Sequence, residues 1–257
     1  ARKATVPCQQ CLAGKIIPAS HTVADQHDRE SDCSICPTGF VAEVDGGTEC
    51  EACEGGKYNN GTGTDRLHHD NKTEDCVVCP AGQHSADQNG RGNCTKCVAG
   101  KFLSDRGKNE TAHLRETQCK ICLAGMWSDL GSEVCDECAK GKYLANDGTD
   151  VTLHDAEADC TVCAFGFYAQ VQASPACVAC LKGKFLSDNG NDVTLHDNEA
   201  DCSICPGGKH TNGSTAAGNC TSCEVGKFLS DEAQKNLQLH LDLQKTLVAA
   251  HHLDVYL

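Results

Sequence analysis

The sequence predicts a small disulfide-rich fold, mostly irregular and β-hairpin, drawn out as an elongated tandem-repeat rod with little helix. Three observations carry this. All 22 cysteines of the 257 residues fall into C-x-x-C pairs, a density close to that of disulfide scaffolds. The first cysteines of successive pairs, starting at Cys8, lie 25, 17, 26, 18, 25, 16, 25, 17, 25 and 18 residues apart, a strict alternation of long and short units. Aromatic residues make up only 4%, with one Trp and one Met, too little for a conventional core in a chain of this length.

One long and one short unit together give a period of 41 to 44 residues. The organisation read from it is an N-terminal segment over 1–7, an array of five double units over 8–222, and an atypical C-terminal unit and tail over 223–257. In the tail, Lys245 stands where the closing cysteine would fall. "NLQLHLDLQ" alternates as a strand would, whereas Leu243, Leu247, Ala250, Leu253 and Leu257 would line a helix, so periodicity leaves the two open.

Each unit repeats one local pattern. The third residue after every second cysteine is glycine, from Gly14 and Gly39 through Gly208 and Gly226. That regularity predicts a backbone with positive φ, or one so crowded by a neighbour that a Cβ would not fit. Two residues further on stands a ring or branched side chain, from Ile16 and Val41 to His210 and Phe228, predicted to pack on the adjacent bridge. Short units such as "PTGFVAEVDGGTEC" and "AFGFYAQVQASPAC" alternate briefly and then turn, as small hairpins do. Long units carry Asn, Asp and Gly clusters, "SDNGND" and "ANDGTD". "VTLHDNEADC" and "VTLHDAEADC" follow, with room for one helical turn before the closing cysteine.

Three chemistries compete for the cysteines. Zinc suits C-x-x-C pairs spaced as in the short units, but an odd number of pairs leaves one over, and the glycine is misplaced for a zinc knuckle. A redox C-x-x-C needs one motif in a βαβ setting rather than many copies. Disulfides fit the composition, and they imply an oxidising compartment. Six N-x-S/T sequons, at Asn60, Asn71, Asn93, Asn109, Asn212 and Asn219, point the same way as N-glycosylation sites. The net charge of −14 argues against a nucleic-acid partner. No apolar run reaches membrane-spanning length, and "ARKATVPC" has no hydrophobic signal core. An exported chain would therefore have lost its signal or carry it outside this segment.

Counting does not fix the connectivity. A bridge inside one pair closes a strained ring, and the simplest alternative is a local ladder from each second cysteine to the next first cysteine. It joins Cys11 to Cys33, Cys36 to Cys50, Cys53 to Cys76, Cys79 to Cys94, Cys97 to Cys119, Cys122 to Cys135, Cys138 to Cys160, Cys163 to Cys177, Cys180 to Cys202 and Cys205 to Cys220. Cys8 and Cys223 are left unpaired or intermolecular, to bond either with cysteines outside this segment or with neighbouring chains. The recurring C-x-x-C-x-x-G followed by "DC" resembles the cysteine-rich modules of tumour-necrosis-factor-receptor-like and ephrin-receptor-like ectodomains. That resemblance covers about residues 8–230 and implies the same ladder. The long units, above all "GKFLSDNGNDVTLHDNEADC", also resemble repeats of large surface and flagellar-hair proteins of algae and protists.

His27, His69, His113, His154 and His196 recur sixteen residues after the second cysteine of the long units. A ring bonded to a carbonyl is the expected role, with a metal as the rival. Asp188, Asp192, Asp197, Glu199 and Asp201, matched by Asp147, Asp150, Asp155, Glu157 and Asp159, offer calcium its oxygen ligands without the spacing of an EF-hand; turn capping explains them as well. No G-x-S-x-G, H-E-x-x-H or P-loop sequence occurs. The expectation is a protein without catalytic, cofactor or metal residues: an extracellular or cell-surface structural repeat, associating with itself or with other fibre or coat proteins. A receptor spacer or ligand-binding ectodomain is the alternative.

Overall fold

The computed structural model describes residues 7–26, 28–85, 90 and 92–229. The tail over 230–257, with its open choice between strand and helix, lies outside the described residues, as do the first six residues and His27. Among the described residues the fold is disulfide-rich and modular. Ten two-stranded antiparallel hairpins follow one another, interspersed with 3₁₀ turns and a single α-helix, Lys72–Asp75.

Each hairpin is built by the same rule. The fourth and fifth residues after a second cysteine pair with the second and first residues after the next first cysteine. In the first hairpin this gives Lys15 opposite Ile35 and Ile16 opposite Ser34; in the last it gives Lys209 opposite Ser222 and His210 opposite Thr221. A ladder of two residues a side is too short to stand alone in water. Covalent closure supplies what the strands lack. Ten bridges run from Cys11–Cys33 to Cys205–Cys220, each joining a second cysteine to the next first cysteine. Cα separations of 5.5 to 5.9 Å are those of relaxed disulfides.

The long loops close on single turns just before the cysteine. Glu30–Asp32, Glu116–Gln118, Glu157–Asp159 and Glu199–Asp201 are 3₁₀ turns that end at Cys33, Cys119, Cys160 and Cys202. Their last residue reaches back: Asp159 accepts from the Ala156 N–H at 3.0 Å and Asp201 from the Asn198 N–H at 2.9 Å, which satisfies donors that a short helix start leaves open. The α-helix takes this place in the third loop, capped by Asn71, whose Oδ1 accepts from Thr73 and Glu74.

The chain divides into two compact units. The first comprises Ala1–Cys122, Ser128–Cys135 and Val151–Asp155, and it holds the bridges from Cys11–Cys33 to Cys122–Cys135. Its buried interior consists of small clusters, one of Val41 with Cys53 and Cys76, another of Leu103 with Cys97 and Cys119. The second comprises Leu123–Trp127, Asp136–Asp150 and Ala156–Leu257. It has equivalent clusters of Leu144 with Cys138 and Cys160, joined by Trp127, and of Tyr168 and Leu186 with Cys180 and Cys202. The expected miniature core of one ring on one bridge is thus adjusted. In the short units the ring or branched residue (Val41, Trp127, Tyr168) leans on the bridge of the following long unit. The cause is geometric: the next bridge lies beside the hairpin face on which that residue projects, so the cluster is shared by neighbours.

Candidate functional site: the joint between consecutive modules

What repeats most strictly is the junction from one module to the next, and glycine makes it possible. All of the glycines predicted to be special have positive φ, from +71° at Gly82 to +86° at Gly14. The neighbour is also close. An added Cβ on Gly14, Gly56, Gly100, Gly141 or Gly166 would collide with the backbone carbonyl of Arg66, Glu110, Val151, Val193 or Ala216 respectively. Both reasons offered by the sequence therefore apply at once. The glycine carbonyl accepts from the N–H of the next second cysteine, as in Cys36 to Gly14 at 3.0 Å and Cys163 to Gly141 at 2.9 Å. The glycine N–H in turn donates to the sixth residue after that cysteine, as in Gly14 to Ala42 at 2.7 Å and Gly141 to Ala169 at 2.8 Å.

Histidine is the second element of the joint. His69, His113, His154 and His196 are fully buried. Nδ1 lies 2.7 Å from a carbonyl of the preceding short unit: Phe40 for His69, Gln83 for His113, Phe167 for His196. A carbonyl can only accept, so Nδ1 carries the proton. The histidine carbonyl then takes the N–H two residues further along the same strand edge, Ala42, Ser85, Ser128 and Ala169, at 2.8 to 2.9 Å. The long units of His69, His113 and His196 thereby clamp the short units before them by main chain and side chain together.

The other ring nitrogen differs from unit to unit. Nε2 of His113 lies 3.0 Å from Asp105 Oδ1, and Nε2 of His196 lies 3.0 Å from Asp188 Oδ2. These carboxylates also accept backbone N–H groups, of Lys108 and Asn109 for Asp105 and of Asn191 and Asp192 for Asp188. The His113 hydrogen bond, followed by the backbone donors, lowers the Asp105 carboxyl to about 2. For Asp188 the Asp192 N–H is the leading cause of a fall to about 2, with His196 contributing. His69 has no such acceptor: Gly61 takes the aspartate's place, and buried Nε2 rests on it without a hydrogen-bond partner. Sequence reasoning placed the histidines but missed Asp105 and Asp188 as their partners. The signal was an aspartate eight residues after the second cysteine, obscured because Ala19, Gly61 and Asn146 hold that place elsewhere.

The remaining candidates are distributed along the array. Of the acidic group, Asp192 caps a turn through Thr194, at 3.0 Å to its N–H and 2.7 Å to its Oγ1, while Glu199 faces Lys184 Nζ at 3.5 Å. Glu157 likewise meets Lys142 at 3.2 Å. A calcium ion would have to take these oxygens from the turn that Asp192 caps and from the lysines that Glu157 and Glu199 meet. His84, Glu116 and Cys119 converge within metal-binding distance, but the Cys119 sulfur is bonded to Cys97 and offers no thiolate. His84 pairs instead with Glu116 at 2.7 Å, and Glu116 with Lys101 at 3.1 Å. Five sequon asparagines are exposed and Asn71 is half-buried. Asn71 and Asn109 use Oδ1 as a turn cap, which leaves the amide nitrogen, the atom a glycan would occupy, free of that role. Cys8 is an exposed thiol and Cys223 a partly exposed one.

No protein-family model matches this chain, and no curated protein does either. Among the described residues no helix is long and apolar enough to cross a membrane.

Proposed function

We propose that this chain is a non-catalytic extracellular structural repeat protein, stapled by disulfides and N-glycosylated, that assembles into a filament, flagellar hair or cell-surface coat. The observation that carries the reading is the repeated joint: glycine, bridge and clamp recur with the same geometry from module to module, so load passes along covalent and buried contacts rather than through one core. Ten bridges in a chain with so few aromatic residues fit an oxidising compartment. The exposed sequons fit a glycosylated surface. The resemblance to receptor-like cysteine-rich modules and to algal and protist coat repeats points to the same setting. Partners of this kind would be further copies or other coat proteins.

The test is to express the chain through a secretory pathway, map its glycans, and image it by negative stain over a range of concentrations. Concentration-dependent filaments and occupied sequons support the reading. A chain that stays monomeric and captures a soluble ligand supports a receptor ectodomain or spacer instead.

A further inference from the structure

Four long units tie the first residue of their closing turn to the lysine of their own first strand: Glu30 to Lys15, Glu116 to Lys101, Glu157 to Lys142 and Glu199 to Lys184, at 3.1 to 3.5 Å. What differs is the side chain that the preceding short unit lays against the bridge. Trp127 takes that place beside Cys138–Cys160 and Tyr168 beside Cys180–Cys202. Beside Cys97–Cys119 it falls to His84, which stands at the same position after its second cysteine.

This imidazole puts three kinds of ligand atom together. His84 is 3% exposed, and its Nε2 meets Glu116 Oε2 at 2.7 Å. The same oxygen lies 3.8 Å from Cys119 Sγ, and the ligand atoms of all three residues fall within 4.8 Å of one another. Ligand atoms on a tetrahedral zinc stand about 3.3 to 3.8 Å apart, so small side-chain shifts suffice to reach that spacing. Lys101 Nζ holds the other carboxylate oxygen, Oε1, at 3.1 Å, which leaves Oε2 to turn inward. Cys97 and Cys119 are themselves buried. While they are bonded to each other, the set has no thiolate.

We propose that Cys97–Cys119 is a latent zinc site, unlocked when a small thiol opens the bridge. Cys97 Sγ, Cys119 Sγ, His84 Nε2 and Glu116 Oε2 then form one tetrahedral set. The chemistry balances with two molecules of a glutathione-type thiol. The thiolate of the first attacks one bridge sulfur and forms a mixed disulfide; the second displaces it, so that the small disulfide leaves and both cysteines become thiols. Zinc then displaces the two thiol protons. The His84 proton that faces Glu116 passes to Nδ1, freeing Nε2 to ligate. Two thiolates and a carboxylate are balanced by zinc and the Lys101 ammonium, and thiolate with imidazole is the donor set that zinc favours. The site requires this bridge and its neighbours, not export or assembly, so either proposal can fail without the other.

The experiment equilibrates the oxidised full-length chain in a buffer of reduced and oxidised glutathione, with and without zinc chloride. Samples are quenched in acid, stripped with chelator in denaturant, alkylated and peptide-mapped. The Cys180–Cys202 bridge serves as the internal control, since it has the same glutamate and lysine but Tyr168 in place of the histidine. Zinc is expected to raise the open fraction of Cys97–Cys119 about tenfold by mass action and to leave Cys180–Cys202 unchanged. Native mass spectrometry of the opened chain should show one bound zinc. His84→Tyr, which installs the side chain that the control module already accommodates, should abolish both effects while its oxidised form keeps all ten bridges. An equal zinc response of the two bridges, no response at Cys97–Cys119, or a parental response in His84→Tyr would overturn the inference.

Discussion

At the scale of single residues, glycines of similar φ differ in what stands beside them. Gly166 and Gly63 both have positive φ, +76° and +71°, but an added Cβ strikes the Ala216 carbonyl in the first case and approaches nothing nearer than 3.6 Å in the second. Gly63→Ala should cost about 1 kcal/mol, the strain of a left-handed alanine. Gly166→Ala should cost clearly more, on the order of 3 kcal/mol, because backbone must move as well; chemical denaturation of the two variants decides it. Replacing His196 by alanine strands the Phe167 carbonyl and opens a void beside it, for an expected loss of about 3 kcal/mol. The carboxyls of Asp105 and Asp188 respond to acid. Held at about 2 against an ordinary value of 3.8, each contributes stability that is complete above pH 4 and lost as pH falls towards 2. Acid titration followed by circular dichroism should therefore find Asp188→Asn less sensitive than the parent between pH 4 and pH 2, and equal sensitivity would contradict a carboxyl held low by the Asp192 N–H and His196.

At the scale of elements, two-residue strands and single turns have no independent stability, so bridge and joint must be studied together. Removing Cys97 and Cys119 together opens a loop of 22 residues, at an expected cost of about 3 kcal/mol in the chain-entropy account. Because modules contact mainly their neighbours, hydrogen exchange should accelerate in that module and the next, where Ser128 and Ser132 bond into the joint, and acceleration throughout the chain would contradict it. Much of this level was legible in the sequence. Cysteine spacing announced the modules, invariant glycines announced positive φ, and "EAD" before cysteine announced the terminal turn. Two features were not legible, both because they depend on neighbours in space. Sequence proximity assigns Tyr168 to its own bridge, whereas it leans on Cys180–Cys202. The bond from Asp188 to His196 joins loop positions eight residues apart whose approach only the folded turn creates.

At the scale of the molecule, no cluster of buried side chains among the described residues resembles a globular core: the fully buried side chains are chiefly cysteines and the repeated histidines, with Val41. Burial on this scale supplies only a few kcal/mol per cluster, so the modules persist because covalent closure restricts the unfolded chain. The charge of −14 keeps such a surface soluble and leaves association to specific contacts. Alkylation of the denatured but unreduced protein, read by intact mass, tests this account most directly. It predicts two reactive thiols at most, Cys8 and Cys223, with the rest closed in bridges. Labelling of many cysteines, or release of stoichiometric metal by a chelator with loss of structure, would contradict it.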